Sequence, residues 1–324
     1  MKVLVIGSAG MVGRKLTAAL LKNGRIGDRA IAQIILADIV AAEAPATSIP
    51  IASHAVDLSA PEAATKLLAE RPDLIFQLAA IVSGEAEADF EKGYRINLDG
   101  TRHLLEAIRQ QPDYCPRLVF TSSIAVFGEP LPPEIPDEFP LTPLTSYGTQ
   151  KAICELLLAD YSRRGFVDGI GIRLPTITVR PGKPNKAASG FFSGIIREPL
   201  AGLEAVLPVD EGVRHWFASP RAAVNFLLHA AQLDTSGLGQ RRSLTMPGLA
   251  ATVGEEIEAL RRVAGDKAVS LIRHVPDETI ALIVAGWPQA FSAKRAESLG
   301  FVAEKNFDDI IRAHIEDELG GRIG

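Results

Sequence analysis

The chain has 324 residues, 47% hydrophobic and 23% charged, which is the composition of a globular protein able to bury a sizeable core. Its net charge of −5 and its lack of a basic run argue against a nucleic-acid partner. Two cysteines without C-x-x-C spacing favour free thiols in the reducing cytoplasm. The apolar start is too short for a signal peptide, and no window nears the roughly 18 apolar residues of a membrane span, so no membrane partner is expected.

The first half of the chain alternates short β-branched runs with segments of helical periodicity, the pattern of β-α-β units around a parallel sheet. The predicted strands are Lys2–Ile6, Ile31–Ala37, His54–Asp57, Leu74–Leu78, Arg117–Ser122 and Gly169–Leu174. The predicted helices are Val12–Lys22, Pro61–Ala69, Phe90–Gln110 and Tyr147–Arg164. Because crossovers between parallel strands are right-handed, we predict an α/β fold with a doubly wound, Rossmann-like parallel sheet.

After Leu174, prolines and glycines interrupt the chain, which predicts a smaller, discontinuous α/β substrate lobe. The first domain is placed at residues 1–174, with 221–246 packing back on it, and the lobe at 175–220 and 247–324. A short strand is predicted at Ser243–Met246, and helices at Arg221–Gln232, Val253–Val263, Asp277–Ala285 and Phe307–Leu319.

A glycine-rich loop follows the first strand and opens the first helix. It reads Gly7-Ser8-Ala9-Gly10-Met11-Val12-Gly13. Its glycines allow a tight turn, the approach of a pyrophosphate and close packing of helix on strand, and the helix N-terminus offers N–H groups to the anion. Asp38, after the second strand, is placed to accept both ribose hydroxyls and to repel a 2′-phosphate. The loop and Asp38 together predict NAD rather than NADP.

Two further strand ends extend the cofactor prediction. Asp57-Leu58 ends the third strand, where it is placed to read the adenine amino group. Leu78-Ala79-Ala80 ends the fourth and is small enough for a cofactor to lie across the sheet edge. An alternative role for Asp57 is simply to cap the helix that begins at Pro61.

A phenol and an ammonium lie four residues apart at Tyr147 and Lys151, so on a helix they share one face. A tyrosine acting as a base near neutral pH needs its pKa lowered by about three units, roughly 4 kcal/mol. A cation at about 4 Å in an effective dielectric near 20 supplies about that much.

The fifth strand ends in Ser122-Ser123 at the carboxyl edge of the sheet, where ligands bind. We predict that Ser123 holds the reacting oxygen; the alternative is that these hydroxyls satisfy strand-end backbone groups.

These residues resemble the extended short-chain dehydrogenase/reductase family, also called the NAD-dependent epimerase/dehydratase family. The resemblance is carried by Gly7, Gly10, Gly13, Asp38, Asp57-Leu58, Leu78-Ala79-Ala80, residues 97–101, Ser122-Ser123, Tyr147, Lys151, residues 292–296 and Leu299-Gly300-Phe301. It implies that Ser123 is the active-site hydroxyl, Tyr147 the proton-transferring phenol and Lys151 the lysine that also holds the nicotinamide ribose. It further implies cofactor-site roles for Asn97, a structural or proton-relay residue, and for Pro175. A homodimer through helices 90–110 and 147–164 is also expected.

Departures from the family's nucleotide-sugar pattern bear on the substrate. Residues 173–182 lack the asparagine that contacts nucleotide sugars, and Ile124-Ala125 cannot supply the acid that dehydratases place there. Residues 81–90 and 173–182, with His215-Trp216-Phe217, resemble instead a branch that oxidises the four-carbon sugar acid D-erythronate at carbon 2. The resemblance therefore implies an NAD-dependent oxidoreductase that acts on a CH–OH group of a small sugar acid and yields 2-oxo-tetronate.

The expected substrate contacts are Ser83, Ser123, Tyr147 and a cation for the carboxylate. The candidate cations are Arg173, Arg180, Lys186 and Arg214, each of which has a surface salt bridge as its alternative role. Two other functions stay open: a nucleotide-sugar 4-epimerase that keeps its NAD bound, and a non-catalytic NAD-binding regulator. The six histidines show no metal-ligand spacing, so no metal is predicted.

Overall fold

The computed structural model describes residues 1–42, 45–182 and 188–323. Lys186, one of the candidate cations, lies outside these ranges. The chain divides into two compact units. The first comprises Met1–Val126, Pro143–Arg173 and Val224–Thr245, and the second Phe127–Thr142, Leu174–Ala223 and Met246–Gly324. Across the described ranges, no helix is both long and apolar enough to cross a membrane.

The strands are β1 Lys2–Ile6, β2 Arg25–Ile26, β3 Arg29–Ala30, β4 Gln33–Asp38, β5 Ile51–Ala55, β6 Leu74–Gln77, β7 Arg117–Ser123, β8 Asp168–Leu174, β9 Thr176–Ile177, β10 Ala205–Leu207, β11 Arg214–Ala218, β12 Ser243–Thr245, β13 Leu249–Thr252 and β14 Ile272–His274.

The α-helices are α1 Met11–Asn23, α2 Pro61–Leu67, α3 Ser83–Ala88, α4 Phe90–Gly93, α5 Gly100–Arg109, α6 Ser146–Arg163, α7 Gly190–Leu200, α8 Pro220–Gln232, α9 Val253–Ala264, α10 Asp266–Val269, α11 Glu278–Ala285, α12 Lys294–Ser298 and α13 Phe307–Glu318. A π-helical segment, Tyr94–Asp99, joins α4 to α5. Short 3₁₀ turns lie at Leu68–Glu70, Ile124–Val126 and Ser236–Leu238.

The first unit is built on a seven-stranded parallel sheet with the order β12–β8–β7–β6–β1–β4–β5. In its centre Val3 lies opposite both Ile34 and Leu74, and these side chains are fully buried. Continuous apolar strands of this kind belong to a sheet covered on both faces, which confirms the predicted Rossmann-like α/β fold. The strand order reverses at β1, because β4 lies on one side of it and β6 on the other. In such sheets the ligand crevice lies at this reversal.

The second unit has its own apolar core. The sheet β9–β11–β13 and the pair β10–β14 are its strands. Phe217 on β11 packs with ring centroids 4.9 Å from Phe192 and 5.6 Å from Phe307, which lie on α7 and α13. Two helices and a small sheet thus meet on one aromatic cluster.

Several elements differ from their predicted bounds. The helix predicted at 90–110 is divided by the π-helical segment, and the strand predicted at 54–57 lies at Ile51–Ala55. Helix α7 was not predicted, because Gly190, Gly194 and Pro199 within it are loop signals, and the strands β11 and β13 were not predicted, because they are short. Residues 127–142, placed in the first domain by the sequence, fall in the second unit.

Candidate active site

The glycine loop joins β1 to α1 and leaves the first turn of the helix open. A Cβ at Gly13 would lie 2.1 Å from the carbonyl oxygen of Gly7, so only glycine lets the helix approach the loop this closely. No side chain caps α1 at Gly10, and its first turn, with Met11 and Val12, contains no acid. The hydroxyl of Ser8 is buried without a hydrogen-bond partner among the described residues. An uncapped helix start beside an unsatisfied hydroxyl fits a bound pyrophosphate.

Asp38 lies beside this loop at the end of β4. Its Oδ2 accepts a hydrogen bond from the Ala9 amide at 2.9 Å, and its Oδ1 accepts one from the Ile39 amide at 2.7 Å. The nearby cation Arg14 donates from Nη1 to the Ala9 carbonyl at 2.7 Å. The backbone therefore fixes a carboxylate next to the dinucleotide loop, as a ribose ligand requires.

The other predicted cofactor residues lie in the turn before α2, directly after β6, and in the second unit. Asp57 Oδ1 accepts from the amide and hydroxyl of Ser59 at 2.9 and 2.6 Å, and the hydroxyl bond lowers the pKa of this carboxyl. This turn, which leads into α2, matches the alternative structural role of Asp57. Leu58 is buried, while Leu78-Ala79-Ala80 follows β6. Pro175 belongs to the second unit.

The structure brings Ser123, Tyr147 and Lys151 together in the first unit. Ser123 ends β7, accepts from the Ala125 amide at 3.1 Å and hydrogen-bonds the Tyr147 hydroxyl. Tyr147 lies in the first turn of α6, and Lys151 lies one turn later. The Lys151 Nζ is 5.7 Å from the centroid of the Tyr147 ring and donates to the Thr121 carbonyl at 2.7 Å. A hydroxyl, a phenol and an ammonium therefore meet at the carboxyl edge of the sheet.

Burial controls the protonation of this group. Desolvation raises the pKa of Tyr147 to about 12, against the opposing effect of the Ser123 hydrogen bond. Desolvation also lowers the pKa of Lys151 to about 8. The expectation that Lys151 lowers the pKa of the phenol below its usual value was wrong for the polypeptide alone. Removing the phenolate from water costs more than the hydrogen bond from Ser123 returns.

Asn97 lies in the π-helical segment and ties it to the site. Its Oδ1 accepts from the Ile81 amide at 2.9 Å, and its Nδ2 donates to Gln150 Oε1 at 2.7 Å. Gln150 directly precedes Lys151 on α6. Asn97 therefore links the chain after β6 to the helix that carries the catalytic candidates.

The candidate substrate residues have different surroundings. Ser83 begins α3. Arg173 is buried, and its guanidinium forms an ion pair with Glu155 at 2.7 Å, so its charge is already engaged. Arg214 is half-exposed and lies 3.5 Å from Glu255.

Arg180 differs from these in having no carboxylate within ion-pair distance among the described residues. It is half-buried in the second unit, and its Nη2 donates to the carbonyl and hydroxyl oxygens of Ser189 at 3.2 Å. Burial, and then the charge of Arg197, lowers the pKa of Arg180. A desolvated cation of this kind favours an added anion.

Two other groups bear on the earlier expectations. His215 is buried, with Nε2 2.7 Å from Thr176 Oγ1 and Nδ1 2.8 Å from the Pro288 carbonyl, which holds it inside the second unit. Over the described parts of the chain, no three metal-ligating side chains cluster.

Sequence reasoning missed Glu155, although its place four residues after Lys151 was a signal of a shared helix face.

Comparison with known proteins places these features in a family. The profile of the NAD dependent epimerase/dehydratase family matches residues 3–237. The chain belongs to this family. Membership confirms the resemblance drawn from the motifs, and with it NAD as the cofactor that the glycine loop and Asp38 fit.

Three proteins illustrate the likeness. The chain is 47% identical to D-erythronate dehydrogenase from Cupriavidus necator, with 98% of both chains covered. It is 43% identical to D-erythronate dehydrogenase from Haemophilus influenzae, covering 98% of this chain and 100% of the relative. A crystal structure described as the nucleoside-diphosphate-sugar epimerase from Agrobacterium tumefaciens has 65% identity and a TM-score of 0.98, covering 100% of this chain and 96% of that one.

Proposed function

We propose that the protein is an NAD-dependent dehydrogenase that oxidises D-erythronate, a small sugar acid, to 2-oxo-tetronate. The observation that carries the substrate is the likeness to two D-erythronate dehydrogenases over nearly the whole length of all three chains. The geometry of Ser123, Tyr147 and Lys151 supports the reaction class, because it provides one hydroxyl to orient an alcohol and one phenol to take its proton.

In this mechanism Ser123 donates a hydrogen bond to the alcohol oxygen of the substrate, and Tyr147 as phenolate removes its proton. Lys151 favours the phenolate, since its ammonium is fixed near the ring by the Thr121 carbonyl. With a pKa of about 8, Lys151 can also exchange a proton near neutral pH. NAD, when bound by the glycine loop and Asp38, supplies the hydride acceptor and a further positive charge.

We assign the carboxylate of the acid to Arg180 rather than to Arg173 or Arg214. The assignment depends only on the surroundings of these side chains: Arg173 and Arg214 each face a glutamate, whereas no described carboxylate faces Arg180. A planar guanidinium that is partly desolvated binds a carboxylate strongly, because both partners gain charge-assisted hydrogen bonds.

A second candidate function is a nucleotide-sugar epimerase, favoured by the description of the 65%-identical structure from Agrobacterium tumefaciens. The same three residues serve such an enzyme, but the cofactor then shows no net reduction. The segment 173–182 lacks the family's nucleotide-sugar asparagine, which weighs against this candidate.

Both functions are tested by one experiment. The purified protein is incubated with NAD and a panel of aldonates, and in parallel with a panel of nucleotide sugars. We expect NADH formation with D-erythronate above all other aldonates and no isomerisation of any sugar. Isomer conversion without net NADH, or no NADH with any aldonate, would overturn the proposal.

We further propose a cytoplasmic homodimer. Phe90 on α4 is 60% exposed and Leu156 on α6 is 67% exposed, although both are large apolar side chains on helices that pack together. A second copy covering these helices would remove this surface from water. Light scattering should give twice the chain mass, and Leu156→Arg should give the monomer. A wild-type monomer would refute the dimer.

A further inference from the structure

A buried ion pair lies next to the catalytic residues and has no role in the mechanism above. Arg173 on β8 donates from Nε to Glu155 Oε1 at 2.9 Å and from Nη2 to Glu155 Oε2 at 2.7 Å. The two side chains are 9% and 5% exposed. Ser122 Oγ, on β7, donates to the same Oε1 at 2.5 Å. Two strands, β7 and β8, therefore converge on the carboxylate of Glu155, which lies on α6.

Fold stability alone is a weak explanation for this pair. Desolvating two charges costs several kcal/mol, and replacing a buried pair by apolar side chains is often neutral or stabilising. The pair is better explained by what its charge does to a neighbour.

That neighbour is Lys151, which lies one helical turn before Glu155 on α6. Two neighbours, first Cys154 and then Glu155, raise the pKa of Lys151 and so oppose desolvation. The other groups facing the ammonium are neutral: the rings of Phe120 and Tyr147, at 4.8 and 5.7 Å, and the Thr121 carbonyl. Burial raises the pKa of Cys154 to about 11, so near pH 8 this thiol is protonated, and Glu155 is the described neighbour that carries a full negative charge.

Glu155 in turn depends on Arg173. A buried carboxylate without a cation takes up a proton, because the low dielectric disfavours its charge. The two-pronged contact from Arg173 and the bond from Ser122 are the described interactions that keep this carboxylate charged in the interior.

We propose that Arg173, Glu155 and Lys151 form a line of alternating charges, in which Arg173 keeps Glu155 ionised and Glu155 keeps Lys151 as an ammonium. Glu155 and Arg173 are thus positioning residues that act through Lys151. The inference deepens the proposed function, on which the catalytic use of Lys151 rests. Its central claim, the charge of Lys151, can be measured without substrate.

The test is a titration of Lys151 by NMR in protein labelled with carbon-13 at the lysine ε position, with the signal assigned by its loss in Lys151→Arg. The wild-type midpoint is expected near pH 8. Glu155→Gln should lower it by about one pH unit. Arg173→Met should lower it similarly, and Arg173→Lys should restore it, because only the charge is needed. Ser122→Ala, which removes a hydrogen bond and no charge, should move it much less.

A purely structural pair would give a different result: the variants would lose stability while the Lys151 midpoint stayed near pH 8, and that outcome overturns the proposal. If the single variants fail to fold, the double variant Glu155→Met with Arg173→Met decides, since it removes both charges of the ion pair together. Its midpoint must also fall; an unchanged midpoint again overturns the proposal.

Activity gives an independent readout. In Glu155→Gln the alkaline limb of the pH profile of kcat/KM should move to lower pH by about one unit, because Lys151 loses its proton earlier. If no substrate is oxidised by the wild type, the proposed function fails while the NMR titration still decides the line of charges. If NADH forms and neither the limb nor the midpoint moves, only this inference fails.

Discussion

In the first unit the buried charges of Lys151 and Glu155 have partners, whereas in the second unit both carboxyl oxygens of Glu256 have none among the described residues. His215, also in the second unit, is held uncharged because burial lowers its pKa to about 4. Burial thus coexists with charge at Lys151 and Glu155 and removes it at Glu256 and His215. The difference teaches that the first unit pairs its buried charges, as the proposed proton transfer requires, while Arg180 in the second unit, with no described carboxylate beside it, is the proposed partner of an added anion.

The largest expected effect tests the charged site of the first unit. Tyr147→Phe removes the only atom that takes the alcohol proton in the proposed mechanism, so kcat/KM for D-erythronate should fall about a thousandfold. The affinity for NAD, measured by titration, should stay unchanged, because the glycine loop and Asp38 are intact. Tyr161→Phe, on the same helix but remote from the site, is the matched control and should keep its activity. A fully active Tyr147→Phe would show that another group takes the alcohol proton and would overturn this mechanism.

The second-largest expected effect tests whether Arg180 binds the carboxylate of the substrate. Arg180→Met should raise KM for D-erythronate about thirtyfold, since a charge-assisted hydrogen bond contributes roughly 2 kcal/mol, and KM for NAD should stay constant. Arg221→Met is a control in the same unit, because Arg221 pairs with Asp317 at 2.6 Å. A larger rise in KM for Arg214→Met than for Arg180→Met would move the carboxylate site to Arg214.

The sheet could be predicted because its signals are local. Apolar β-branched runs such as Lys2–Ile6 and Leu74–Gln77 are buried on both faces, and glycines mark the loop between β1 and α1. The π-helical segment at Tyr94–Asp99 was not predictable in this way. It contains Asn97, whose bonds to Ile81 and Gln150 exist only after the chain has folded.

The catalytic candidates could be predicted from the sequence, whereas the electrostatics around them could not. Tyr147 and Lys151 were found because their spacing alone puts them on one helix face. The pairing of Glu155 with Arg173 joins residues on different elements, and no short-range pattern marks it. The pKa of Tyr147 follows from burial, which depends on everything packed around the ring. The sequence therefore predicts the groups proposed to react but not the charges around them.

The smallest expected effect tests whether the buried carboxyl of Glu256, in the second unit, is uncharged. Burial raises the pKa of Glu256 well above its ordinary value of 4.5. As the pH rises from about 4.5, the unfolded chain releases this proton while the folded protein keeps it, so the free energy of unfolding falls until the folded pKa is reached. Glu256→Gln cannot ionise and removes this loss. It should therefore gain up to about 3 kcal/mol over the wild type between pH 4.5 and 7, at about 1.4 kcal/mol for each pH unit below the folded pKa.

Thermal unfolding at several pH values measures this gain as a rise in Tm of a few degrees at pH 7 that vanishes near pH 4.5. Glu258→Gln, at an exposed position on the same helix, controls for the change of residue type and should show no such pH dependence. If Glu256→Gln instead lowers Tm at pH 7, the carboxylate is charged and stabilising in the folded protein. The contrast between the two units would then disappear, because both would bury charge with a partner.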